Sequence, residues 1–104
     1  MRPIKYRAWD KESQEMVCWE IILDDGFEKY ITDDLMQFTG LYDKNGTEIY
    51  EGDLMSHPDF TKNAFLPIKI KDGYTTIAGW DCLRTDISKG RVIGNIYENP
   101  KLLK

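Results

Sequence analysis

Residues 35–55, LMQFTGLYDKNGTEIYEGDLM, decide the fold because they set two turns among short apolar runs. The first turn, DKNG at residues 43–46, contains the Asn–Gly pair that tolerates the positive φ angles of tight hairpin turns. The second, EGD at residues 51–53, breaks the chain again before an apolar run restarts. This spacing predicts short strands joined by hairpins, and it indicates no particular chemistry.

Further strand-like runs lie on both sides of this stretch, with alternating or β-favouring residues. They occupy residues 4–9, 16–23, 27–32, 67–71, 74–78 and 91–97. Residues 35–39 are assigned to a strand rather than to a helical turn capped by Asp33 and Asp34. The runs at 67–71 and 74–78 flank Asp72 and Gly73, which predicts a second hairpin. Residues 56–67 are assigned to a loop, and residues 81–87 fit either an irregular crossing or one helical turn.

Short strands separated by glycine-containing turns every 8–12 residues or so are typical of a small barrel or sandwich. We therefore predict an all-β, or mainly β, fold in which Gly40 and Gly94 mark bulges or close backbone contacts. A length of 104 residues predicts a single domain, and 41% hydrophobic residues exclude general disorder. Cys18 and Cys82 have no metal-like spacing, so we expect buried free thiols in a reducing cytoplasm.

Neither a membrane helix nor a signal peptide is predicted, because no apolar run approaches the roughly 20 residues that a span requires. Charge is strongly segregated along the chain. Residues 1–11 carry a net charge of +3, residues 12–59 carry −11 and residues 60–104 carry +4. The basic ends either fold against the acidic middle, or the acidic middle faces a basic partner or another copy of the chain.

Three blocks, residues 4–11, 35–53 and 92–100, resemble the YopX-like family of phage and prophage proteins. The resemblance implies an SH3-like small barrel or roll with an extra N-terminal β segment. On that basis the single domain, 1–104, divides into an arm over about 1–34 and a barrel core over about 35–104. The resemblance also implies self-association and supplies no catalytic residues. The family commonly has a longer, more acidic stretch between its second and third blocks than this chain has.

Catalysis finds little support in the sequence. His57 is the only histidine and is expected to be solvated in its loop, and no phosphate-binding glycine motif occurs. Glu51 and Asp53 flank a turn glycine, where we expect charged side chains to stay wet rather than to act as a catalytic pair. We therefore predict no enzyme, no cofactor and no catalytic or metal-binding residue.

The first strand offers the best binding candidate because aromatic and basic residues interleave in KYRAW at residues 5–9. Lys5, Arg7 and Trp9, joined by Arg91 from the last strand, could stack bases and contact the phosphates of a single-stranded nucleic acid. The alternative is a structural strand in which Tyr6 and Trp9 fill the barrel while the cations pair with the acidic middle.

The preferred interpretation is a cytoplasmic protein of a bacterial host cell that acts by binding. It would be a phage or prophage accessory protein serving as a protein-interaction or self-assembly module. The expected partners are further copies of the chain and an unidentified phage or host protein, with no membrane. A nucleic-acid-binding accessory barrel, using the four residues just named, is the alternative.

Overall fold

The computed structural model describes residues 4–30, 34–58, 66–71, 74–77, 80–81, 87–99 and 101. Nine strands account for most of the secondary structure. They are β1 Tyr6–Asp10, β2 Glu15–Val17, β3 Asp34–Tyr42, β4 Glu48–Tyr50, β5 Asp53–Ser56, β6 Leu66–Lys71, β7 Tyr74–Ile77, β8 Trp80–Asp81 and β9 Arg91–Asn95. One helix, α1 Trp19–Asp25, and two 3-10 turns, Phe27–Tyr30 and Ile87–Lys89, complete the described elements.

The strands form two antiparallel sheets. The first has the order β2-β1-β3-β4 and the second has the order β8-β7-β6-β5-β9, and one of the two sheets curls into a half-barrel. The prediction of a mainly β fold related to a small barrel is therefore confirmed. In the first sheet the extra N-terminal strand β1 pairs with β3, for example Ala8 with Leu35.

Both predicted hairpins are present. β3 pairs with β4 around residues 43–47, and Gly46 has a φ of +81°, a conformation that L side chains rarely adopt. The register of this pair shifts between Phe38 and Leu41, which places the predicted bulge at Gly40. β6 pairs with β7 with Lys71 opposite Tyr74, although residues 72–73 lie outside the described part of the chain.

Two strand predictions are wrong. The strand predicted over residues 16–23 ends at Val17, and residues 19–25 form α1 instead. The side chain of Ile22 is completely buried, while its neighbours Ile21 and Leu23 are exposed. Residues 27–30 form a 3-10 turn, in which the buried Tyr30 donates a 2.7 Å hydrogen bond to Asp25. One buried side chain, Ile22, anchors helix α1 in the core. Its tertiary packing overrides the β preference of isoleucine.

The last strand is shorter than predicted because Asn95 ends it. The side-chain oxygen of Asn95 accepts hydrogen bonds from the backbone N–H groups of Tyr97 and Glu98, which turns the chain. The loop predicted at 56–67 is wrong at both ends, because Ser56 belongs to β5 and Leu66 begins β6. Residues 59–65 lie outside the described part of the chain. Residues 82–86, including Cys82, lie outside it as well.

The core consists of three clusters of buried side chains that follow the sheets. The largest draws mainly on the second sheet, the second joins the first sheet to the C-terminal turn, and the third contains the buried side chain of α1. Their buried members are, in turn, Ile49, Met55, Leu66, Ile68, Ile77 and Ile87; Trp9, Met36, Phe38 and Tyr50; and Ala8, Ile22 and Tyr30.

Gly52 connects the two sheets at the turn between β4 and β5. Its N–H donates to the carbonyl of Ile68 and its carbonyl accepts the N–H of Ile96, each at 2.9 Å. Its φ is +88°, and a Cβ at this position would lie 3.3 Å from the sulfur of Met36. Both the backbone conformation and the close approach favour glycine here. The second turn of the sequence is therefore the point at which the two sheets are joined.

Candidate interaction surface

Helix α1 presents acidic and apolar side chains to solvent. Ile22 anchors the helix in the core, whereas Ile21 is 49% and Leu23 is 60% exposed. Glu20 and Asp24 are exposed on either side of them. We call Glu20, Ile21, Leu23 and Asp24 the acidic helix face. Burial of exposed aliphatic side chains such as these against another protein would be favourable.

Glu20 is held in its charged form within this face. Hydrogen bonds from its own backbone N–H and from the thiol of Cys18 lower the pKa of its carboxyl group. Cys18 itself is exposed, so the prediction that it is buried is wrong. It is the N-cap residue of the helix and follows Val17, the last residue that pairs with β1.

A groove of about 310 Å³ lies at the seam between the two sheets, beside Gly52. Its apolar lining comes from β3, β6 and the C-terminal turn, and includes Leu35, Pro67, Ile68, Ile70, Ile96 and Tyr97. Lys69 and Glu51 supply its charged groups. This volume is at the small end of the roughly 300–1,000 Å³ of ligand pockets, and it suits a few aliphatic side chains. We call it the seam groove.

Two cations bind carboxylates of the acidic middle, residues 12–59, which we call the acidic segment: Lys5, just before β1, and Arg7 within β1. The Arg7 guanidinium contacts the Asp53 carboxylate at 2.5 Å and lies 4.6 Å from the centre of the Tyr50 ring. Asp53 is only 1% exposed, and it also accepts the N–H of Tyr50 at 2.7 Å. Burial raises the pKa of Asp53, and the Arg7 charge opposes that rise. The prediction that Asp53 is solvent-exposed is therefore wrong.

Lys5, the residue before β1, makes a second and more accessible ion pair. Its ammonium group lies 2.7 Å from Glu48 and 5.6 Å from the centre of the Phe38 ring. The hydrogen bond to Glu48 raises the pKa of Lys5. Burial, together with the nearby Glu48 charge, raises the pKa of Tyr50 to about 12. These contacts hold β1 against the acidic segment. They agree with the alternative interpretation of this strand, in which its cations pair with the acidic middle of the chain.

The four residues proposed for nucleic-acid binding do not form one surface. Trp9 is 6% exposed and stacks on Tyr97 with ring centres 5.9 Å apart. Lys5 and Arg7 are paired as described, and Arg91 lies exposed on β9 of the other sheet. The aromatic residues of the acidic segment also serve the core, since Tyr30, Phe38 and Tyr50 are buried.

His57 is buried, which corrects the prediction that it is solvated. It lies directly after β5, and Gly90 packs against it so closely that a Cβ there would approach its ring to 3.1 Å. Within the described residues, no group of three His, Cys, Asp or Glu is placed to hold a metal ion. In that part of the chain, no helix is long and apolar enough to cross a membrane.

The fold and surface define a small two-sheet β protein with a buried Arg7–Asp53 ion pair and an exposed acidic helix. The family model described as YopX protein matches residues 20–104, so the chain belongs to the YopX family, as the sequence resemblance indicated. The crystal structure of protein EF1440 from Enterococcus faecalis is similar over 100% of both chains, with a TM-score of 0.71 and 25% sequence identity. No curated protein matches the chain.

Proposed function

We propose that this chain is a phage or prophage accessory protein that acts in the cytoplasm of its bacterial host by binding proteins rather than by catalysis. Its working surface is the acidic helix face. The observation that carries the proposal is the exposure of Ile21 and Leu23 on a helix whose neighbouring residues are acidic. Burying such side chains against a partner is favourable, and the flanking carboxylates select a partner with cations in matching positions.

The distribution of charge supports the same surface. Lys5 and Arg7 are paired with Glu48 and Asp53. Glu20 and Asp24, by contrast, are exposed. The acidic segment therefore retains uncompensated charge around the helix. The bacterial source of EF1440, the structural relative, is in keeping with a bacterial setting.

The proposal can be tested by placing a photo-crosslinking amino acid at position 23 and irradiating cells that carry the protein. We expect covalent products heavier than 12.2 kDa that survive nuclease treatment. The matched control places the same probe at Ser13, which is exposed in the turn between β1 and β2. Products equal at the two positions, or products removed by nuclease, would contradict a protein-binding role for this face.

Plain single-stranded DNA and RNA should not bind at physiological salt. The Trp9 ring is buried and Arg7 is paired with Asp53, so neither group is free for stacking or phosphate contact. Titration with oligonucleotides should leave the tryptophan fluorescence unchanged. A salt-sensitive change at micromolar oligonucleotide, lost when Lys5 and Arg91 are changed to Glu, would instead favour the nucleic-acid-binding alternative.

A further inference from the structure

We propose that the seam groove binds an extended segment of a partner protein, which pairs with an open edge of β6 as an added strand. In this segment, apolar side chains alternate with acidic ones. The binding mode goes beyond the proposed function, because it uses backbone groups and a different set of side chains from those of the acidic helix face. It follows from the hydrogen bonds at the junction of the two sheets.

The turn between β4 and β5 interrupts the hydrogen-bond ladders of both sheets. The N–H of Glu51 donates to the carbonyl of Gln37 on β3, and the N–H of Gly52 donates to the carbonyl of Ile68 on β6, each at 2.9 Å. The backbone groups of a strand point to the same side at every second residue. The next groups that point from β6 towards the groove are therefore the N–H and the carbonyl of Ile70.

These backbone groups of Ile70 form the open edge of β6. Among the described residues, β5 pairs with β6 through Leu66 and Pro67, and β7 pairs with the opposite side of β6 over residues 68–71. No described residue bonds to the backbone of Ile70 on the groove side. Ile70 is half-buried and lines the groove. An extended peptide that adds a strand to a sheet binds main-chain groups of this kind.

The strand β3 presents a similar open end across the seam groove. Leu35 lies two residues before Gln37, so its N–H and carbonyl also point away from β1. In the described part of the chain, β4 pairs with β3 from Phe38 onwards, and no residue there bonds to the backbone of Leu35 on that side. The groove therefore lies where both sheets are incomplete, and a strand inserted into it would extend the ladder of β6 and border β3.

The alternation of side chains along β6 determines the chemistry of the segment. Ile68 and Ile70 lie on one face of β6 and line the groove together with Ile96. Lys69 and Lys71 lie on the other face, and both are exposed. An added strand distributes its own side chains between the two faces in the same alternation. Its apolar residues would pack beside the isoleucines, and its acidic residues would lie beside the lysines, where opposite charges stabilise cross-strand pairs.

The same two lysines disfavour the pairing of β6 with β6 of another copy. Two such edges would bring Lys69 and Lys71 against lysines, and like charges opposite each other destabilise a sheet. Glu51 also lines the groove, next to Gly52 at the β4–β5 turn. The acidic residues of the segment must therefore lie towards the Lys71 end of β6, away from that turn.

A labelled peptide in which isoleucine alternates with glutamate is the probe. Fluorescence anisotropy should show binding at micromolar protein, and the same residues in scrambled order should bind about tenfold or more weakly. Methylating the nitrogens of one alternate set of peptide residues should abolish binding, and methylating the other set should not, because only one set faces the carbonyl of Ile70. No binding at about 100 μM protein, or equal affinity of the ordered and scrambled peptides, would overturn the inference.

Charge reversal on the protein tests the side-chain contacts. Lys69→Glu with Lys71→Glu should weaken binding of the glutamate peptide by about tenfold and favour a peptide with lysine in place of glutamate. Lys44→Glu with Lys89→Glu makes the same change in net charge at exposed positions outside the groove, and is the matched control. The unfolding temperature should stay unchanged in both variants, since all four lysines are exposed. Equal weakening by the two variants would contradict a contact between the segment and β6.

Hydrogen exchange locates the added strand directly. In the free protein, the amide of Ile70 should exchange faster than those of Lys69 and Lys71, which face β7. The peptide should slow exchange at Ile70 by about tenfold or more and leave its two neighbours unchanged. An Ile70 amide that is already slow without peptide would mean that another segment or another copy covers the edge, and one that stays fast in the complex would place the peptide elsewhere. Either result would refute the inference, and neither would affect the test of the acidic helix face at position 23.

Discussion

Asp43 and Asp53 are both buried carboxylates at strand ends, ten residues apart in the sequence, and they are satisfied in different ways. Asp43 accepts three backbone N–H groups, from Asn45, Thr47 and Val92, at 2.8–2.9 Å. Asp53 accepts one backbone N–H group, from Tyr50, and depends on the side chain of Arg7 for its other partner. The pKa of Asp43 is lowered by its backbone hydrogen bonds, which outweigh burial, whereas burial raises that of Asp53.

Asp43 therefore holds neighbouring backbone groups in place, whereas Asp53 requires a cationic side chain from another strand. Asp43 fixes the β3–β4 hairpin and ties it to β9 through Val92, using backbone groups that are present whatever the neighbouring side chains are. Asp53 lies at the start of β5 and receives its cation from β1 of the other sheet. The attachment of the N-terminal strand is therefore the more vulnerable to a single substitution.

The largest effect is expected for Arg7→Ala. It leaves the Asp53 carboxylate buried without its cation, and losing one partner of a buried pair costs about 3–5 kcal/mol of the free energy of unfolding. Chemical denaturation should show this loss. Lys5→Ala, two residues earlier in the chain, is the matched control, and it should cost much less because the Lys5–Glu48 pair is about a quarter to a third exposed. Equal losses from the two variants would contradict the special dependence of Asp53.

Asp43→Asn should cost less, about 1–3 kcal/mol, because the amide keeps one oxygen acceptor but presents an NH₂ group where Asp43 accepts the N–H of Val92 or of the hairpin. Hydrogen exchange should show faster exchange at the Val92 amide than at other amides of β9. Asn45→Ala, on the exposed turn, is the control, because it leaves the Asp43 carboxylate untouched. An unchanged Val92 amide would contradict the link between the hairpin and β9.

Gly46→Val tests the same hairpin through its backbone conformation instead of through the hydrogen bonds of Asp43. The residue at position 46 has a φ of +81° with open space around it, so a side chain meets no neighbour and only the backbone conformation resists it. We expect a loss of about 1–2 kcal/mol in thermal or chemical unfolding. Gly46→Asn should cost less, since Asn adopts this conformation more readily. A Gly46→Val variant as stable as the wild type would mean that Asp43 can hold the turn in another geometry.

The smallest effect is a difference in pH dependence. A lowered native pKa means that ionised Asp43 contributes stability above the ordinary value of 3.8, and that this contribution is lost as the pH falls below it. A raised native pKa means that ionised Asp53 carries a cost above 3.8, which is relieved as the pH falls through its native pKa.

Unfolding free energies of wild type, Asp43→Asn and Asp53→Asn between pH 2 and pH 7 or so should therefore differ in opposite senses. The deficit of Asp43→Asn should shrink below pH 3.8. Any deficit of Asp53→Asn should instead grow as the pH falls towards 3.8 from above, because the wild type gains stability there. Parallel profiles for the two variants would show that the carboxylates do not differ.

The sequence revealed the hairpins because their signals are local. The Asn–Gly pair at residues 45–46 and the alternation over β6 and β7 depend on neighbouring residues only, and both hairpins are as predicted. Helix α1 escaped prediction because Trp19, Ile21 and Ile22 favour strands on their own. Gly26, which ends the helix with its N–H on the carbonyl of Ile22, was the available signal.

The Arg7–Asp53 ion pair was harder to predict because it joins residues that are distant in the sequence. Arg7 and Asp53 are 46 residues apart, and nothing near Asp53 in the sequence indicates that its carboxylate is buried. The segregation of charge did indicate that the basic N-terminal residues could pair with the acidic segment. It could not indicate which carboxylates would be used and which would remain exposed, since that depends on the register of β1 against β3.

β5 lies between β6 and the edge strand β9 of its sheet, and this position bears on how the protein is made. β5 pairs with β6, which follows it closely, and with β9, whose residues 91–95 are translated about forty residues later. During synthesis one edge of β5 therefore stays open until β9 leaves the ribosome, and open edges recruit other strands. The chain is short enough for that interval to last only seconds at about 5–20 residues per second. Docking of β9 covers that edge of β5 and so completes the second sheet.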